Sequence, residues 1–82
     1  MFLHLGRDVS VTLRDIIYIQ DFRQLDASEE NCRFWQRLQK AQPVEDVSEG
    51  SPKALVLTDS RVYLSAISPL TLKKRAEFLT GR

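Results

Sequence analysis

The chain is poor in the residues that staple or punctuate small folds. Of 82 residues, one is cysteine, Cys32, one is histidine, His4, and three are glycine. A single cysteine excludes an internal disulfide, and one histidine beside it leaves no zinc-ligand spacing. Gly6, Gly50 and Gly81 lie too far apart for a glycine-rich phosphate loop. No apolar run approaches the ~20 residues of a membrane-spanning helix. Met1 to Gly6 has neither the basic stretch nor the small-residue cleavage site of a secretory signal. A soluble, cytoplasmic chain with no cofactor and no membrane attachment is the expectation. With so few residues it is expected to make one domain, residues 1–82, with a thin core. Self-association is the reinforcement left once disulfide and metal are removed, although a well-packed domain of this length also folds alone.

Charge of one sign is equally scarce. Twelve Lys and Arg against eleven Asp and Glu give a net charge of +1, which by itself argues against a strongly basic nucleic-acid binder. The distribution is less even than the total. Met1 to Glu49 carries about −3, whereas Gly50 to Arg82 carries about +4 through Lys53, Arg61, Lys73, Lys74, Arg75 and Arg82. Such asymmetry fits an anionic partner and also fits an ordinary solvated surface.

Little in the chain asks for catalysis. His4 stands between Leu3 and Leu5 in a strand pattern, so its side chain points opposite to theirs, and no nucleophile neighbours it in sequence. Cys32 follows Glu29 and Glu30, acidic neighbours that disfavour a reactive thiolate. Asp15, Asp21, Asp26, Glu29 and Glu30 do not fall at metal-loop spacing. A non-enzyme is expected.

What is present is a clear alternation of elements. Phe2 to Leu5 and Val9 to Leu13 read as strands of a hairpin around Gly6-Arg7-Asp8. Ile16 to Ile19 is a β-branched and aromatic run expected to lie inside the sheet. Asp26, three residues before Glu29, reads as the cap of a helix from about Ala27 to Gln42. Phe34, Leu38 and Ala41, widened by Trp35, form the stripe expected to pack on the sheet. On the same helix, Arg33, Arg37 and Lys40 read as a solvated face or a phosphate-facing ridge, with Glu29 one turn before Arg33. Val44 to Pro52 reads as the most flexible loop. Ala54 to Leu57, apolar on both alternating faces, reads as a central strand. Asp59-Ser60 then turns the chain into Val62 to Ala66. Ser68 before Pro69 caps a final helix with Leu72, Ala76 and Leu79 as its buried stripe and Gly81 as its end. The order predicts an α+β fold, a small mixed or mainly antiparallel sheet of about five strands with two helices.

Phe2-Leu3-His4-Leu5-Gly6, then Thr12-Leu13-Arg14-Asp15-Ile16-Ile17, and above all Ser65 through Phe78, resemble the bacterial extracellular-matrix regulatory proteins, the RemA and RemB family, on its RemB side. The resemblance covers nearly the whole chain. It implies a small oligomeric regulator without cofactor, since RemA-type members are similar to ring-building proteins that bind promoter DNA and promote biofilm-matrix genes. A homo-oligomer, possible pairing with a RemA-like protein, and double-stranded DNA are the partners it implies. One departure stands out: RemA-type members place two DNA-binding arginines after the glycine of the loop before the central strand, whereas here Ser51 and Pro52 follow Gly50. The basic surface expected instead combines Lys53 and Arg61 with Lys73, Lys74 and Arg75. Lys74 and Arg75 flank the buried stripe of the last helix, where they serve either DNA or a subunit contact.

Overall fold

The structure is a computed structural model, and it describes residues 1–80. Gly81, expected to end the last helix, lies outside the described residues. Six strands and two α-helices follow the order β1 (Phe2–Gly6), β2 (Val9–Thr12), β3 (Ile16–Asp21), α1 (Glu29–Ala41), β4 (Val44–Asp46), β5 (Ala54–Thr58), β6 (Val62–Ser65) and α2 (Pro69–Leu79). Two 3₁₀ segments, Leu13–Asp15 and Phe22–Asp26, flank β3. The α+β class expected from the order of elements is what the chain adopts.

The strands divide into two sheets. β1 and β2 pair alone as an antiparallel hairpin, and the other four take the order β3-β5-β6-β4. β5 pairs antiparallel with β3 and β6, while β4 runs parallel to β6, so the larger sheet is mixed. β5 is central as its composition predicts: Ala54, Leu55 and Val56 are fully buried. β3 is instead an edge strand, not an interior one. Its Ile17 is 61% exposed, because the β1–β2 hairpin closes on itself rather than continuing past β3.

The period-2 alternation along β5 feeds two cores. Ala54 and Val56 join Leu3, Leu5, Val11, Val47 and Leu72 on one face. Leu55 joins Leu25, Val62 and Leu64 on the other, beneath Trp35 and Leu38 of α1. The hairpin and α2 therefore cover one face of the sheet, and α1 covers the opposite face. Phe22 and Trp35 meet edge to face, with ring centroids 5.6 Å apart.

Three local readings need correction. The cap of α1 is Ser28, whose Oγ accepts the Asn31 amide at 3.1 Å, and not Asp26, which ends the preceding 3₁₀ segment. Ala41 is exposed and Phe34 is only partly covered, so Trp35 and Leu38 make the contact with the core. The Val44–Pro52 segment is no free loop. The Pro43 carbonyl accepts the Val62 amide and the Leu64 carbonyl accepts the Val47 amide, both at 2.9 Å, which makes β4 a strand and buries Val47 and Ser48.

Ser65 ties the two sheets together. Fully buried at the end of β6, its Oγ donates to the Leu5 carbonyl of β1 and accepts the Ile67 amide at 3.1 Å. A buried donor or acceptor left unpaired costs ~1–3 kcal/mol. Ser65→Ala is therefore expected to lose about 2 kcal/mol of stability in urea unfolding with its slope unchanged.

Candidate functional site

α2 begins as its sequence dictates. Ser68, extended at φ −64°, accepts the Thr71 amide at 3.2 Å, and Pro69 occupies the first turn, where its missing amide costs nothing. Leu72 is fully buried and Ala76 and Leu79 partly so, leaving Lys73, Lys74 and Arg75 exposed. Successive helical residues diverge by about 100°, and the three cations split accordingly. Lys73 shares a shallow hollow with Asp21, Arg23, Gln24 and Leu70. Lys74 and Arg75 instead line a groove against β1, with Phe2, His4, Thr71 and Phe78.

Lys53 lies at the end of the sheet where α2 starts. Its amide donates to the Ser65 carbonyl at 2.8 Å and its carbonyl accepts the Phe22 amide at 2.9 Å, so the backbone is pinned on both sides while the side chain is exposed. Arg61 is not part of that surface. It follows β5, five residues long, and so lies roughly 16 Å from the Lys53 end at ~3.3 Å per residue. Arg61 is also partly covered and pairs with Glu45 at 3.7 Å.

Ion pairing separates the cations further. Arg7 pairs with Glu49 at 3.6 Å, Arg23 with Asp21 at 3.1 Å, and Arg33 with Glu29 at 3.3 Å, the last as the helical spacing predicts. Lys53, Lys73, Lys74 and Arg75 make no ion pair among the described residues. Hydrogen bonds from the Arg23 side chain and amide hold the Asp21 carboxyl below its usual range. The acidic loop is organised in the same manner. Asp46 accepts the Ser48 hydroxyl and amide, and these bonds lower its carboxyl affinity for protons.

His4 is exposed while Leu3 and Leu5 are fully buried, as the strand alternation requires. Its Nε2–H donates to the Arg7 carbonyl at 2.8 Å, a contact within the hairpin. Sequence reasoning missed the partnership of β1 with α2, and with it Phe2, Thr71 and Phe78. The helical spacing of 71, 74, 75 and 78 was the available signal, but only the fold shows what those residues face.

Among the described residues, no helix is long and apolar enough to cross a membrane. The profile of the RemA-like family, described as extracellular matrix regulatory protein A-like, matches residues 2–76. The chain is also similar to extracellular matrix regulatory protein B of Bacillus subtilis (strain 168). The two are 42% identical over 79 residues, which cover 96% of this chain and 94% of that protein. With a profile that runs from the hairpin through the central sheet into α2 and a relative that covers 96% of the chain, the chain belongs to the RemA-like family of extracellular matrix regulatory proteins.

Proposed function

We propose that the chain is a non-enzymatic, cytoplasmic regulator of extracellular-matrix genes that binds double-stranded DNA as an oligomer. The contact surface wraps around α2, with Lys73 on one side, Lys74 and Arg75 on the other, and Lys53 at the sheet end where the helix starts. The observation that carries this reading is that four cations without ion pairs among the described residues gather around α2, whereas Arg7, Arg23, Arg33 and Arg61 are paired and the other unpaired cations, Arg14, Arg37 and Lys40, lie outside α2 on other elements. One copy neutralises only a few phosphates, and each contributes modestly to affinity. Repetition fixes that, because linked copies engage the backbone together without any new kind of contact. The open edge of β3, with Ile17 exposed on it, supports association of copies, since an unpaired edge strand is a template for another chain.

Mobility shifts on duplex DNA test the proposal. Affinity is expected to fall steeply between roughly 50 and 200 mM salt. Charge reversal of Lys73 and Lys74 together is expected to flatten the slope of log affinity against log salt by about two for each engaged subunit. Arg61→Glu is expected to leave that slope unchanged. Binding indifferent to salt and to the double reversal refutes the DNA reading.

Ser51 and Pro52 after Gly50 favour a second reading, an interaction module that pairs with itself or with a RemA-like protein and leaves DNA alone. Light scattering with and without duplex DNA separates the two. An assembly that forms but does not gain mass with DNA at low salt, and captures a RemA-like protein, establishes the second reading.

A further inference from the structure

We infer that the groove between β1 and α2 is a binding site for a single-chain anionic amphiphile, a carboxylate carrying an apolar tail. The groove has a volume of about 410 Å³, within the ~300–1,000 Å³ of small-molecule sites. Thr71, Lys74, Arg75 and Phe78 form one stripe of α2 at i, i+3, i+4 and i+7, facing Phe2 and His4 on the outward side of β1.

The groove has direction. Phe2 also lies beside Thr80, in the adjoining hollow lined by Met1 and Leu13, so the Phe2 end of β1 faces the C-terminal end of α2. Phe2 is 66% exposed and Phe78 83% exposed, with Leu79 between them and the core. That end is apolar. His4 consequently lies toward Thr71 and Lys74, about one helical turn away, and this end is polar and cationic. Among the described residues, neither Lys74 nor Arg75 has an acidic partner. Thr71 Oγ1 accepts the Ser68 hydroxyl at 2.9 Å, which leaves its own hydroxyl hydrogen free to donate.

An apolar bed at one end and two cations with a hydroxyl donor at the other complement a ligand built the same way. A carboxylate gains charge-assisted hydrogen bonds from Lys74, Arg75 and Thr71, while its tail covers Phe2, Leu79 and Phe78. A bare phosphate leaves the aromatic end wet. A cationic amphiphile meets repulsion at the head. The site shares Lys74 and Arg75 with the proposed DNA surface, but ligand binding measured on the protein alone tests it separately from the DNA reading.

Calorimetric titration of the purified full chain with decanoate, below its micellar concentration, tests the inference. Saturable binding near one per chain and a raised melting temperature are expected, with butanoate and decyltrimethylammonium giving neither. Phe78→Ser changes a side chain already in solvent and is expected to fold while weakening decanoate about tenfold or more. Lys74→Glu with Arg75→Glu is expected to weaken it by a similar factor. Circular dichroism melts verify that both variants fold.

Equal binding of decanoate and decyltrimethylammonium overturns the site, as does decanoate affinity unchanged by Phe78→Ser. Binding confined to phosphatidylglycerol vesicles assigns the patch to a lipid surface and overturns it too. An oligomer that dissociates on Phe78→Ser, without any decanoate binding by the native chain, assigns the groove to a second copy.

Discussion

Leu72→Ala is expected to destabilise the chain by about 3 kcal/mol, within the ~2–5 kcal/mol range for emptying a buried leucine site. Leu72 is the fully buried contact of α2 with the core that also holds Leu3, Leu5, Val11, Val47, Ala54 and Val56. These residues come from the hairpin, the loop after β4 and the central strand, so a cavity there cannot be closed by moving one element. A chain of this size has roughly 4–12 kcal/mol in total at ~0.05–0.15 kcal/mol per residue. The loss corresponds to about 15 °C in melting temperature. Leu70→Ala, on the same helix at 63% exposure, is expected to stay within about 0.5 kcal/mol of the native chain. Thermal melts of the two variants decide the matter: equal costs mean that α2 does not bury the face assigned to it. Since Lys73, Lys74 and Arg75 take their directions from the seating of Leu72, the same substitution is expected to weaken the proposed DNA binding before the protein unfolds.

Much of this arrangement was legible from residue patterns. Ala54 to Leu57 announced a central strand because it is apolar on both faces, and the structure uses those faces for two separate cores. Ser68-Pro69 fixed the start of α2, since cap and first-turn proline are local chemistry. Ile16 to Ile19 misled because β propensity reports a pleated, half-buried surface and says nothing of how many neighbours a strand has. Val44–Asp46 was hidden for a related reason. A three-residue strand with Glu45 and Asp46 in it has no periodicity to read, and it forms because the backbone between Pro43 and Val47 is paired with β6 from outside the segment.

The basic surface was legible in composition and not in geometry. Lys73, Lys74 and Arg75 are adjacent in sequence, and so looked like one patch, yet helical rotation sends Lys73 toward Arg23 and the other two toward Phe2. Lys53 and Arg61 flank one strand, and that strand's length separates them. Proximity in the chain is a guide to proximity in space only over one or two helical turns. Beyond that, the pairing of β1 with α2 is a tertiary contact between the first and last elements, which a single sequence does not reveal.

Gly6→Ala is expected to cost about 3 kcal/mol, from backbone strain of ~1–3 kcal/mol and overpacking of similar size. Gly6 sits at the irregularity in the β1–β2 ladder with φ +146°, a conformation that residues bearing a Cβ rarely adopt. A Cβ there meets the Val47 carbonyl oxygen at 2.8 Å and its Cγ2 at 3.4 Å. The obstacle is backbone, and it does not yield easily: Val47 is buried and its amide is bonded to the Leu64 carbonyl. Gly50 supplies the control. Its φ is +92°, but a Cβ meets nothing within 4 Å, so Gly50→Ala bears the strain alone and is expected to cost about 1 kcal/mol. Urea unfolding ranks the two, and equal costs defeat the claim that the hairpin and the acidic loop are locked at this contact. Hydrogen exchange localises the effect, with the Val47 and Ser48 amides expected to lose protection in Gly6→Ala first. Because the same segment runs on through Ser51 and Pro52 to Lys53, loosening it frees the one cation of the proposed DNA surface that the sheet, and not α2, holds in place.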